Sequence, residues 1–322
     1  MGALRDLSVS QQVGLLFVAL FGVLALTTVV AFIVALREGS ESDLHKREGF
    51  GRDLRAVWVA SVLFWSAWAA GPLVSTLLFG AVSFIALREL ITLTHTRRAD
   101  HRSLLLAFFI VLPVQYLLVA QRRFDLFSVF IPVYVFLAIS VVSAFGNDPQ
   151  RFLERTAKIQ WGIMVCVYGI SHTPALLLLD LPGYSGRGAF LVIYLVAVVA
   201  IAQIAQESAS RQLRRRPVAR AISRSFSWRG WGVGVLSAGL IGALLYWATP
   251  FKPIPALLMA CVAGGCGTLG EFVMKALKRD AGVRNWGGQG SVTGAVGLLD
   301  RIAPLCFAAP VFFHVVRWYF SV

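Results

Sequence analysis

GEFVMKALKRDAGVRNWGGQGSVTGAVGLLDR, residues 270–301, separates two apolar runs at 254–274 and 298–320. It sets Lys275, Lys278, Arg279, Arg284 and Arg301 among Glu271, Asp280 and Asp300. Charge this close to lipid is costly and usually marks a site. If the first run continues as a helix past Glu271, then Glu271, Lys275, Lys278 and Arg279 fall on one face, because they are spaced 4, 3 and 1 apart. That face leads into a loop holding Gly282, Gly287, Gly288, Gly290, Gly294 and Gly297. A loop of that composition can bring backbone N–H groups close to a phosphate. Asp300 and Arg301 stand at the mouth of the final run. Carboxylates that hold Mg²⁺, with cations that stabilise transition-state charge, are the parts of phosphoryl or nucleotidyl transfer. A plainer reading of the same charges is a set of interfacial ion pairs with snorkelling lysines.

Working outward, the 322 residues are 57% hydrophobic and only 14% charged, whereas soluble domains are about 25% charged. The expectation is an all-α polytopic integral membrane protein. Runs of about 20 apolar residues are the unit of a membrane helix. Ten spans are expected, at about 13–36, 54–70, 72–92, 103–120, 127–145, 160–179, 188–206, 231–249, 254–274 and 298–320. The second is short and stops at Gly71-Pro72, where the next restarts. The N-terminus lacks an A-x-A cleavage pattern, so the first run reads as a retained span. No repeat interrupts the chain, and residues 1–322 are taken as one membrane domain. The cysteines (Cys166, Cys261, Cys266, Cys306) lie in apolar stretches without a CxxC and read as small buried hydrophobes. The five histidines are scattered and suggest no zinc site.

The loops sort by charge. Those after spans 1, 3, 5, 7 and 9 hold most of the 30 lysines and arginines. By the positive-inside rule they face the cytoplasm, with both termini outside. The formal charge of +14 therefore signals orientation and anionic ligands rather than nucleic acid, since no basic, aromatic-studded soluble domain carries it. Residues 207–230, ESASRQLRRRPVARAISRSFSWRG, hold seven arginines against one glutamate. They read either as a solvated loop touching anionic headgroups or as a phosphate-binding wall, since arginine grips phosphate with a bidentate fork.

KALKRDAGVR, a glycine-rich gap and then GLLDRI resemble the signature of the phosphatidate cytidylyltransferase (CDP-diacylglycerol synthase) family. That signature runs G-D-x-x-x-S-x-x-K-R-x-x-G-x-K-D, then P-G-H-G-G-x-x-D-R-x-D. LREL at 87–90 with TRRADHR after it, ERTAKIQWGIMVCVYGISHTPALL at 154–177 and FAAPVFFH at 307–314 extend the likeness to the bacterial CDP-diglyceride synthetase-like branch. The resemblance implies that CTP and phosphatidic acid are joined to give CDP-diacylglycerol and pyrophosphate, with a divalent metal at the site. It assigns catalytic roles to Lys278, Arg279, Asp300 and Arg301. Glu271 stands in place of the family's first aspartate and, with Asp300, would hold Mg²⁺. Lys275, Arg284, Ser223 and Arg229 would meet substrate phosphate. It also implies a bacterial cytoplasmic membrane, with the site facing the cytoplasm.

The departures share a direction. Lys275 replaces a serine, Asn285 an aspartate and Ala303 the last aspartate, while Ala295 and Val296 replace H-G. Upstream, an Asn-Asp pair becomes Ala202-Gln203, and S-P-N-K-T-W-E-G becomes residues 223–230, with Phe226 for the lysine and Arg229 for the glutamate. Carboxylates are lost and cations gained, which weakens a metal site. Lys275 would act as a built-in counter-ion to phosphate. Two functions stay open: the family's transfer chemistry, or a catalytically degenerate homologue (a pseudoenzyme) that binds anionic lipid or a partner protein as scaffold or regulator. His95 and Asp100 form an H-x4-D pattern too sparse to read as an acyltransferase. His172 reads as a core or pore-facing histidine, and Glu89 as a local partner of Arg88. Neither a P-loop nor the CDP-alcohol transferase pattern is present.

Overall fold

A computed structural model of the protein describes residues 8–35, 41–94, 96–213, 217–283 and 297–321. Their regular structure is all helical, with no strand among the described residues. In chain order the helices are α1 (Val9–Ala35), α2 (Glu41–Ala69), α3 (Pro72–Thr92), α4 (Arg98–Ala120), α5 (Phe124–Ala144), α6 (residues 152–177), α7 (Gly188–Gln212), α8 (Trp228–Leu244), α9 (Pro253–Asp280) and α10 (Leu298–Phe320). Each falls on one of the ten expected spans. Seven are long and apolar enough to cross a membrane: α1, α3, α4, α5, α7, α9 and α10. α2 is apolar only along Leu54–Ala69, α8 has 17 residues, and α6 carries Glu154, Arg155 and Lys158 in its first turns. Large apolar side chains such as Phe109, Leu137, Ile204 and Leu240 point outward. On a water-facing surface they would be a liability, but against lipid they are the ordinary exterior.

The chain divides into two compact units, Met1–Leu78 and Phe79–Val322. In the first, α1 and α2 meet through aromatic rings. Phe17 is buried against Phe64 and Trp68, with centroids 5.8 and 5.6 Å away, and Trp58 Nε1 donates to Thr28 Oγ1 at 2.9 Å. Gly71 takes φ +105°, which the turn from α2 into the Pro72 start of α3 requires. Ser75 Oγ bonds back to the Ala67 carbonyl at 3.0 Å across that turn.

In the second unit, the helices of the N-terminal part are joined by polar contacts: Ser83 with Tyr116 and Ser103 with Ser143, both buried, and Gln160 with the Phe136 carbonyl nearer the surface. Such contacts hold helices together where lipid supplies no hydrophobic drive. α4 and α5 each include a π-helical stretch, residues 107–111 and 130–135, beside or around Pro113 and Pro132. The missing proline N–H removes a normal helical bond there.

The C-terminal helices α7–α10 pack on small residues. Gly230, Gly234, Ala238 and Gly242 recur every fourth position along α8 and are buried. A side chain at Gly234 would meet the Ala202 carbonyl of α7, and one at Gly264 of α9 would meet Ala238 and Ala202. The stripe lets α7, α8 and α9 approach closely, as small-residue repeats do in membranes. α10 closes the unit against α6, where Gly169 lies under the Cys306 carbonyl.

Candidate functional site

The ends of α9 and α10 carry the charged signature. α9 runs unbroken from Pro253 to Asp280, so the helix does continue past Glu271 as the spacing predicts. Two lysines on that face each hold a carboxylate. Lys275 Nζ lies 2.6 Å from Glu271 Oε1, one turn earlier. Lys278 Nζ lies 2.5 Å from Asp300 Oδ1 and ties α9 to the first turn of α10. The second oxygen of Glu271 accepts from Gln203 Nε2 of α7 at 2.8 Å. Gln203, aligned from sequence with a lost acidic position, thus contacts Glu271 through an amide donor. All four paired side chains are 16–32% exposed. They lie at a partly wetted boundary, where the pairs can be exchanged for other anions.

The remaining expected residues lie around this face. Arg279 and Arg301 are exposed, and Arg301 Nη1 reaches the Gly297 carbonyl at 3.4 Å. Arg229 is exposed at the start of α8. Ser223 is 5% exposed, and its hydroxyl sits 3.4 Å from Ser225 Oγ. Its segment is pinned from two sides: Gln206 of α7 donates to the Ser225 carbonyl at 2.9 Å, and Phe226 packs on Phe272 of α9 with centroids 4.5 Å apart. Phe226, standing where the family pattern has lysine, therefore joins the loop to α9 by ring packing next to Glu271. Ser227 caps α8, accepting from Gly230 N at 3.1 Å. Arg220, Arg224 and Arg229 of this loop are exposed. Arg284, Asn285, Ala295, Val296, Arg214, Arg215 and Arg216 lie outside the described residues, as does His95.

Sequence reasoning missed Glu89. Rather than serving only as a neighbour of Arg88, it is 2% exposed at the end of α3 and accepts from three backbone N–H groups: Gly297 at 2.8 Å, Leu298 at 3.1 Å and Leu299 at 3.0 Å. Its only sequence signal is an acid inside an apolar run, which marks a needed partner without naming it. A second buried charge lies at the α5–α6 corner. Arg155, 6% exposed, bonds Asp148 at 2.5 Å and lies 3.4 Å from Asp100. Asp100 itself accepts from Arg97 N at 2.9 Å, so this acid holds a loop. His172 is fully buried. Its Nδ1 lies 2.6 Å from the Tyr168 carbonyl, and its ring packs among Phe127, Tyr168, Phe313 and His314. The four cysteines are free thiols, Cys166 and Cys306 buried.

For a metal, the described residues offer no group of three histidine, cysteine, aspartate or glutamate side chains. Glu271 and Asp300 are each turned onto a lysine. What the arrangement presents is two lysine ammonium groups, each paired with a carboxylate of its own or the next helix, with the exposed guanidinium groups of Arg279 and Arg301 beside them.

Residues 51–319 match the model of the cytidylyltransferase family. Over 307 residues the chain is 35% identical to YnbB of Escherichia coli (strain K12), an uncharacterized protein, covering 93% of this chain and 96% of that one. Over 88 residues it is 36% identical to a phosphatidate cytidylyltransferase of a Synechocystis species, covering 27% of this chain and 29% of that enzyme.

Proposed function

Because the chain belongs to the cytidylyltransferase family, we propose that it transfers a cytidylyl group from CTP to phosphatidic acid at the cytoplasmic face of a bacterial inner membrane. A phosphatidate oxygen attacks the α-phosphorus of CTP. The new phosphorus–oxygen bond forms as the bond to the bridging oxygen breaks, and pyrophosphate leaves with that electron pair. CDP-diacylglycerol remains in the membrane.

The observation that carries this reading is the Lys278–Asp300 contact, 2.5 Å across the ends of two membrane helices. It joins the K-R and D-R elements of the signature at the membrane boundary, where a lipid phosphate and a soluble nucleotide can meet. Lys275 lies one turn away on the same face. Ligand phosphates would displace Glu271 and Asp300 from their lysines and take their place. Arg279, Arg301 and the exposed arginines of residues 217–229 supply further positive charge for pyrophosphate. Such transfer commonly uses a divalent ion, but the donor set here does not fit a resident one. Each candidate carboxylate is neutralised by a lysine, and Gln203 donates a hydrogen bond to the Glu271 oxygen whose lone pair a metal would need. Phosphate charge is met here by Lys275 and Lys278.

A second reading, a homologue that binds lipid phosphate without turnover, is favoured by Phe226. Its ring packs on Phe272 in the place of a motif lysine. One experiment separates the two. Purified protein in detergent is supplied with CTP and phosphatidic acid, with and without EDTA, beside Lys278→Ala, which removes a cation that meets phosphate charge. CDP-diacylglycerol formation that drops on the order of 10²-fold in the variant is the expected result. Wild-type protein that binds phosphatidate vesicles, yet turns over no faster than the variant with or without Mg²⁺, leaves the binding reading in place.

A further inference from the structure

α10 is capped from outside its own segment. Its N-cap residue is Gly297, at φ +78°, and glycine has no side chain to cap with. The first N–H groups of a helix have no intrahelical acceptor. Here Gly297, Leu298 and Leu299 give theirs to the carboxylate of Glu89, on α3. An anion in this position also meets the positive end of the helix dipole. Glu89 is 2% exposed, so water is a poor substitute for it.

Asp300 is three residues beyond Gly297. From that position an acidic side chain can fold back onto the N-cap N–H, as glutamate does in a capping box. Asp300 instead reaches outward to Lys278. The two facts are linked by competition for one donor. While Glu89 Oε1 holds Gly297 N at 2.8 Å, the N–H that a capping Asp300 would take is occupied, and Asp300 meets Lys278 instead.

We propose that Glu89 is a positioning residue: by occupying the N–H groups that open α10, it keeps the Asp300 carboxylate off its own helix end and against Lys278. This rests on the reading above, in which Asp300 and Lys278 belong to the phosphate site. Loss of the Glu89 charge would let Asp300 turn inward to cap α10. Lys278 would then lose its counter-ion and the link from α9 to α10.

The test reads Lys278 directly. Purified wild-type protein, Glu89→Gln, Asp300→Asn and the double variant are treated briefly with an amine-acetylating reagent. Acetylation of Lys278 is measured by mass spectrometry relative to Lys252, an exposed residue at the opposite end of α9. The expected result is that each single variant labels Lys278 at least about twofold faster and that the double variant labels no faster than Asp300→Asn, the non-additivity of residues acting through one contact. Labelling of Glu89→Gln at the wild-type rate overturns the proposal. So does a double variant in which the two effects multiply, since that is the pattern of general loosening. Should Glu89→Gln not fold, Glu89→Asp, which keeps the charge and draws it back by one methylene, is read against the same outcomes. Because labelling needs no turnover, an inactive wild-type protein defeats the transferase reading and still leaves Glu89 to be judged.

Discussion

At the scale of single residues, the lysines of α9 do two jobs that pull in opposite directions. Unliganded, each neutralises a carboxylate at the membrane boundary. Liganded, each would have to release it. Partly exposed pairs of this kind are worth little, about 0–1 kcal/mol, so a phosphate with two charges can compete for them. Lys275→Ala should therefore weaken binding to phosphatidate vesicles several-fold while leaving the fold intact, as read by vesicle flotation beside thermal unfolding. Unchanged flotation would remove Lys275 from the site.

Asp148 behaves differently. The Arg155 guanidinium, aided by the Gln150 N–H, holds its carboxyl below the usual carboxylate range. A carboxyl depressed in the folded state contributes stability that is complete above its unfolded pKa and fades as pH falls through the folded one. The α5–α6 corner should thus be indifferent to pH between about 5 and 8 and loosen only below about pH 4. In an acid titration of thermal stability, wild-type protein and Asp148→Asn should differ near neutrality and converge in acid. A constant gap would mean that the charge is not what Asp148 contributes.

At the scale of elements, hydropathy made the helices readable because a membrane helix needs the same length and polarity almost wherever it lies. The Gly71-Pro72 restart was equally legible, since both residues act on local backbone. The 4, 3, 1 spacing put Glu271, Lys275, Lys278 and Arg279 on one face before any packing was known. What had no local signature was the partner of each group. Gln203 and Glu271 are 68 residues apart, and Phe226 meets Phe272 only because α7, α8 and α9 stack closely. The small residues of α8 were visible as letters, but their register against α7 and α9 was not. That register carries a prediction. A valine at Gly264 would press on Ala238 and Ala202, whose Cβ atoms stand 2.8 and 2.9 Å from the new Cβ position. Gly264→Val should cost about 1–3 kcal/mol, measured by denaturant titration in mixed micelles. A neutral result would mean that α8 shifts freely against its neighbours.

For the whole molecule, the charge asymmetry of the loops fixes a testable orientation. Ser185 and Ala221 are both exposed and lie in consecutive connections between helices, at opposite ends of α7. A cysteine at 185 should react with an impermeant maleimide in intact cells, and one at 221 only after lysis. The native thiols are buried or half-buried and give a low background. The reverse pattern would place the signature face outside, away from cellular CTP, and would end the transferase reading.

The cap of α10 also bears on how the chain is assembled. The residues that Glu89 serves follow it by 208 to 210 positions, so the ribosome makes the acceptor long before the donors. The final helix, on insertion, meets a docking point already in place. Insertion of the last span thereby completes three bonds to one carboxylate of the third, which a chain ending short of Gly297 would lack.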